Sequence, residues 1–221
     1  MPNKSTLDHI VIAVPSLKKV REHFEKNYGI RLQAGGKHPN FSTHNMLLKL
    51  KHKTNKTQYL EFIALDPEAK TSEASLFGLN TPPKDWKVVA WAISTNDIHT
   101  LQNTLQLQTP FKHLTEIHDM HRIQEDASLI HWDMAYSNDH FNHTQGTAPF
   151  LIQWRDTHPS DNLPSMKVEL ESLNVCHPEV TGLMKALLFN GFKDDHVTFQ
   201  QHETPSLTLS LQINRRETLV I

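Results

Sequence analysis

The chain has 221 residues, 38% hydrophobic and 21% charged, with 22 Lys+Arg against 24 Asp+Glu for a formal net charge of −2. This is the balance of a globular fold long enough to bury a core, as one large domain or two small ones. The near-neutral charge, the lack of any apolar run near ~18 residues and a single cysteine, Cys176, argue against nucleic-acid binding, membrane insertion and a disulfide-stapled secreted fold.

Residues 1–6 lead straight into a strand pattern without the apolar core of a leader, so a cytoplasmic location is the expectation. The strand runs over 6–14, β-branched and apolar. Ser16 caps a helix in which Leu17, Val20 and Phe24 recur at helical spacing, and Gly29 stops it. A short strand follows at 30–33, then a loop by composition at 35–40, with Gly35 and Gly36 side by side. Two further strands are predicted at 45–51 and 58–65, and Asp66-Pro67 ends the unit.

The order then recurs. A strand at 86–95 leads to a helix capped by Asn96 or Asp97, with Ile98, Leu101 and Leu105 on one stripe. Strands at 121–125, 129–136 and 149–155 complete the second pass, and His158-Pro159 closes it. A third, shorter pass has strands at 166–176, 197–201, 206–213 and 217–221, with a helix carrying Val180, Leu183 and Leu187 and stopped by Gly191. Aligning the strand-to-helix junctions sets His9 opposite Ala90, and Ala90 opposite Ser172, at nearly equal offsets. Such self-similarity is the mark of a repeated architecture. The expected organisation is an α+β fold of repeated βαβββ modules at 1–65 and 86–155, plus a βαβββ-like unit at 166–221, packed as one compact domain with linkers at 66–85 and 156–165.

His9 and Glu61 are each a polar residue within an apolar strand. On the expected faces His9 sides with Leu7, Val11 and Ala13, and Glu61 with Tyr59 and Ile63. An unpaired buried imidazole or carboxylate is costly, so the two invite a shared explanation: a buried His–Glu hydrogen bond, or ligation of one divalent metal. In the second module Gln153 stands at the position matching Glu61, and the face of strand 129–136 carries Leu129, His131 and Asp133. His38, Thr43 and Asn45, around the loop, supply hydrogen-bonding groups. Trp86, Trp91, Trp132 and Trp154 all fall in strands, as core or pocket wall. Cys176 has no nucleophile signature and reads as a small apolar strand residue. The sixteen histidines scatter along the chain, mostly as surface or turn residues, and should turn the net charge positive on mild acidification. No G-x-S-x-G, G-x-G-x-x-G, P-loop or C-x-x-C motif is present.

The segments LDHIVIAVPSL (7–17), GGKHPNFSTHN (35–45) and YLEFIALDP (59–67), followed by WAISTND (91–97), PFLIQW (149–154) and His158-Pro159, resemble glyoxalase-like domain proteins of the vicinal oxygen chelate superfamily. The resemblance implies curled mixed sheets enclosing a pocket, with ligands from the first and fourth strands of each module. It implies a divalent metal ion (Zn, Mn, Fe, Ni or Mg) at His9 and Glu61, helped by Gln153 and His131, with Glu61 as ligand or proton shuttle. His38, Thr43, Asn45, Tyr59, Trp91, Trp132 and Trp154 are then the expected substrate contacts. Ala90 departs from the pattern because it cannot ligate. The implied activity is lyase or isomerase chemistry on a small oxygenated compound, with dioxygenation and hydrolysis also open. The other class is drug sequestration without catalysis. Expected partners are a small molecule and a second copy of the chain, paired through the edge strand at 217–221.

Overall fold

The computed structural model describes residues 5–52, 57–69, 76–123 and 129–221. The first module comprises β1 (Thr6–Ala13), α1 (Leu17–Tyr28), β2 (Gln33–His38), β3 (Thr43–Lys49) and β4 (Tyr59–Leu65). The second comprises β5 (Lys87–Ser94), α2 (Ile98–Gln106), β6 (Ile117–Ile123), β7 (Leu129–Ala135), α3 (Asn138–Thr144) and β8 (Phe150–Trp154). Their eight strands close into a barrel in the order β1-β4-β3-β2-β6-β7-β8-β5. Every residue of β1 from Leu7 to Ala13 is buried, because one face meets the barrel interior and the other an outer apolar layer. Ser16 accepts from the Lys19 N–H, and Gly29 closes α1 in the left-handed region at φ 66°, its N–H returning to Glu25 and Phe24. Asp97, rather than Asn96, caps α2 by accepting from the Thr100 N–H.

Residues 35–40 are not simply a loop: Gly35 and Gly36 lie inside β2, at a register shift between Ala34 and Gly36 against β3. Missing side chains there let neighbours approach. A Cβ on Gly35 would lie 1.9 Å from Asn45 Oδ1, and one on Gly36 would lie 2.7 Å from the Ile123 carbonyl oxygen. Of the strand expected at 30–33, only Gln33 belongs to β2. β6 begins at Ile117 rather than His121, and residues 124–125 of that expectation lie outside the described residues. α3 went unforeseen, since its seven residues carry one large apolar side chain, Phe141, and no helical stripe.

The remaining elements are β9 (Val168–His177), α4 (Val180–Phe189), β10 (Val197–Gln201), β11 (Ser206–Ile213) and β12 (Glu217–Val220). Element order repeats a third time, but sheet order does not. In the first two modules the last strand lies parallel to the first, β4 beside β1 and β8 beside β5. In the third unit β10, straight after the helix, takes that parallel place, and the sheet runs β10-β9-β11-β12. Periodicity reports element type, not pairing. This sheet covers the outside of the barrel: Leu209, Leu211 and Ile213 share one apolar cluster with Ile10, Ile12, Trp91 and Ile93, and Phe192 meets Trp91 at 5.6 Å between ring centres. Among the described residues, no helix is long and apolar enough to cross a membrane.

Candidate functional site in the barrel

The barrel interior holds a narrow hollow with about 30 Å³ of free room, well below the usual range for small-molecule sites, so a bound compound must displace its walls. Its polar end gathers His9 from β1, His38 from β2, Asn45 from β3, Tyr59 and Glu61 from β4, and Arg122 from β6. The rest of the wall is apolar: Leu76, Phe77, Met120, Trp132, Met134, Phe150, Ile152 and Trp154.

The His9 imidazole is fixed from three sides. It stacks on Tyr59 at 4.6 Å and 16°, meets Phe150 edge-on at 5.4 Å, and its Nδ1 lies 2.7 Å from Asp8 Oδ1. Asp8 is wholly buried where the register against β5 shifts between Leu7 and His9. Its Oδ2 also accepts from Trp154 Nε1 and pairs with His158 Nε2, both at 3.1 Å. Burial alone would raise the Asp8 pKa, but the bonds from His158 and His9, with their charges, hold it well below the usual carboxylate range. An ionised Asp8 can only accept, so the proton between them belongs to His9 Nδ1.

His9 Nε2 therefore faces Glu61 Oε2, 3.4 Å away. Glu61 Oε1 accepts from Asn45 Nδ2 at 2.5 Å, and the same amide approaches His38 Nε2 at 3.5 Å. His38 Nδ1 pairs with Thr43 Oγ1 at 3.0 Å. Burial pushes the His38 pKa down to about 4, with Glu61 opposing the shift and Arg122 adding to it. Burial also lowers the Arg122 pKa and raises that of Tyr59 well above its ordinary value.

Of the expected site residues, the hollow collects His9, His38, Asn45, Tyr59, Glu61, Trp132 and Trp154. Four others lie elsewhere. Gln153 alternates with inward Ile152 and Trp154, so its side chain leaves the barrel and accepts from the Ile98 N–H at the start of α2, 2.8 Å away. His131 alternates with inward Trp132 and is 40% exposed, paired with Asp156 at 2.9 Å. Trp91 points into the outer core and donates to the Thr147 carbonyl. Thr43 supports His38 from behind without lining the hollow. A one-residue offset in a strand exchanges its faces, which is why aligning the modules by pattern put Gln153 in place of an apolar inward residue. Leu7 also joins the outer cluster instead of siding with His9, because of the shift at Asp8.

Asp8, Arg122 and Phe77 were not anticipated. Asp8 did carry a signal, a second ionisable residue in an apolar strand beside His9. Arg122 carried almost none, since strand 117–123 is polar on both faces.

Sequence comparison agrees with the geometry. A family model described as a glyoxalase-like domain matches residues 7–188. The chain belongs to the glyoxalase-like domain family. No curated protein matches this glyoxalase-like chain. Among solved structures, a hypothetical protein from Staphylococcus aureus is similar over 91% of this chain and 88% of its own, with 17% identity and a TM-score of 0.60, a likeness of fold. A methylmalonyl-CoA epimerase from Streptomyces coelicolor in complex with 2-nitronate-propionyl-CoA aligns over 68% of this chain and 97% of its own, at 16% identity and TM-score 0.46. The methylmalonyl-CoA epimerase from Mycobacterium tuberculosis aligns over 67% and 85%, at 13% identity and TM-score 0.41.

The donor set bears on the metal that the resemblance implies. His9 Nε2 and Glu61 Oε2 are of the right chemistry, their separation suits two ligands of one ion with contacts of about 2.0–2.2 Å, and Asp8 stands behind His9 as carboxylates stand behind ligating histidines. Among the described residues, the second module turns Ala90, Ala92, Phe150 and Ile152 inward and adds no imidazole or carboxylate to the hollow. Among the described residues no group of three or more His, Cys, Asp or Glu is placed to hold a metal ion. The glyoxalase-like site thus fits an ion held at two points, with other positions left to solvent or substrate.

Gly35 offers a direct test of the site's packing. Gly35→Ala should cost about 1–3 kcal/mol, because its methyl would overlap Asn45, whose amide is committed to Glu61. Urea denaturation reads the loss, and an unchanged midpoint would contradict the close approach.

Proposed function

We propose that this protein is an enzyme of the lyase or isomerase kind, moving a proton on a small oxygenated compound bound in the barrel, with His9 and Glu61 at the reacting centre. One observation carries the reading. With Asp8 accepting from Nδ1, a neutral His9 presents a lone pair from Nε2 to a carboxylate oxygen 3.4 Å away. Two acceptors that close call for a positive charge between them, either a shared proton or a cation.

As a proton pair, one of the two groups takes the proton from substrate carbon and the other returns it, within reach of a ligand lying against both. Asp8 holds the imidazole in one tautomer and stabilises its charged form. Asn45 fixes the Glu61 carboxylate. Tyr59 and Phe150 keep the imidazole from rotating, and the aromatic wall excludes water. A divalent ion held by His9 and Glu61 would supply Lewis-acid polarisation of two neighbouring substrate oxygens.

The test joins metal analysis of the purified protein to proton exchange. If the charge between His9 and Glu61 is a divalent ion rather than a shared proton, wild type should carry about one per chain, lost in His9→Ala and Glu61→Ala. In deuterium oxide it should exchange the acidic carbon-bound protons of a 2-oxo acid such as phenylpyruvate, with both variants slower by about 10²–10⁴-fold. A second reading, sequestration without catalysis, is favoured by the aromatic wall of Phe77, Trp132, Phe150 and Trp154. Tight aromatic-ligand binding with neither metal nor exchange would establish it over the first.

A further inference from the structure

Among the described residues, Arg122 is a buried cation without a close carboxylate counterpart. It is 4% exposed, lines the hollow, and its buried Nε has no hydrogen-bond partner. Among the described residues no carboxylate lies within 4 Å of its guanidinium. Glu61 and Tyr59 act on it only through space, and the Glu61 oxygens already face Asn45 and His9. Burying an unpaired charge costs several kcal/mol even after relaxation. The fold nonetheless clears a path for this side chain: a Cβ on Gly35 would stand 3.2 Å from Nη1, and one on Gly36 would stand 3.3 Å from Cδ. Guanidinium is the side chain suited to grip a planar carboxylate with two parallel hydrogen bonds.

We propose that the barrel is a receptor for small organic carboxylates with an apolar, preferably aromatic, body, and that Arg122 takes the carboxylate. The inference rests on the reading above that the barrel is the small-molecule site, and it names the substrate class. Among the described residues Arg122 is the one Lys or Arg lining the hollow, and one guanidinium in a mostly apolar wall suits one negative charge on a hydrophobic body, so a free phosphate dianion is the poorer match. Trp132 and Trp154, tilted together at 5.4 Å, form the wall for that body. Arg122 thereby sets specificity, while His9 and Glu61 do the chemistry.

Calorimetric titration with 3-phenylpropanoate, its neutral amide 3-phenylpropanamide and inorganic phosphate tests the assignment. Wild type should bind the carboxylate at least about tenfold more tightly than the amide, a difference of ~1.4 kcal/mol, and more tightly than phosphate. Arg122→Gln should bring carboxylate and amide level. Arg122→Lys, which keeps the charge but not the fork, should retain only part of the preference and serves if the glutamine variant does not fold. His9→Ala should keep the preference while losing proton exchange, so the two proposals fail separately: lost exchange activity in wild type overturns the catalytic reading alone. Equal binding of acid and amide by wild type, a preference surviving in Arg122→Gln, phosphate binding as tightly as the acid, or no carboxylate binding up to about 10 mM each overturns the assignment.

Discussion

Asp8→Asn should destabilise the protein by about 3–5 kcal/mol, the range for breaking a buried charged network by removing one member. Asp8 receives three donors, His9 Nδ1, His158 Nε2 and Trp154 Nε1, and is wholly sealed from water. An asparagine in the same space can accept through one atom only and turns an amine against donors. The sign with pH follows from its depressed pKa: the native carboxylate contributes fully above the ordinary value near 3.8, and the contribution is lost as pH falls below it. Urea denaturation of both proteins at neutral pH measures the loss. Nitrogen NMR of His9 adds a readout that general destabilisation does not supply, because the Nδ1–H tautomer prevails only while Asp8 accepts from it. A midpoint within about 0.5 kcal/mol of wild type, with the tautomer unchanged, would overturn the role given to Asp8.

His140→Phe should make the protein markedly more resistant to mild acid. His140 is 2% exposed, lies stacked at 5.6 Å over Phe111, and its ring nitrogens are sealed from water beside the backbone of Ala148 and Pro149. Burial lowers its pKa to about 4, outweighing the Pro149 and Ala148 backbone groups that favour the proton, with smaller lowering effects from His113 and His143. The folded form thus disfavours the proton that the unfolded chain takes up near pH 6.5. Stability is full above 6.5 and erodes as pH falls toward 4, by about 3 kcal/mol from this residue at the low end. His38 contributes in the same window and the same direction. Phenylalanine has no proton to take up, so the gain in Tm over wild type should be several degrees greater near pH 4.5 than at pH 7.5. Parallel Tm profiles would refute the assignment.

The sequence disclosed the modules because their signals are local. Ser16, Asp97 and Gly29 mark helix ends by their own chemistry, and β1 and β4 are apolar enough to need no context. It disclosed His9 and Glu61 because each is conspicuous among apolar neighbours. What it hid is what depends on parity and pairing. Trp91, His131 and Gln153 sit one residue from an inward position, and only the paired sheet decides which face is inward. Arg122 is polar among polar neighbours, and its burial comes from glycines some ninety positions earlier. The third unit's strand order was hidden for the same reason, since the element sequence strand–helix–strand is common to both arrangements.

The barrel's two module-to-module junctions are unequal. β1 and β5 are laced together from Thr6 to Ala13, whereas among the described residues β2 and β6 meet at the single pair Lys37–Ile123. Among the described residues, the seam beside Arg122 therefore has far fewer paired backbone groups to hold it shut than the seam at β1 and β5.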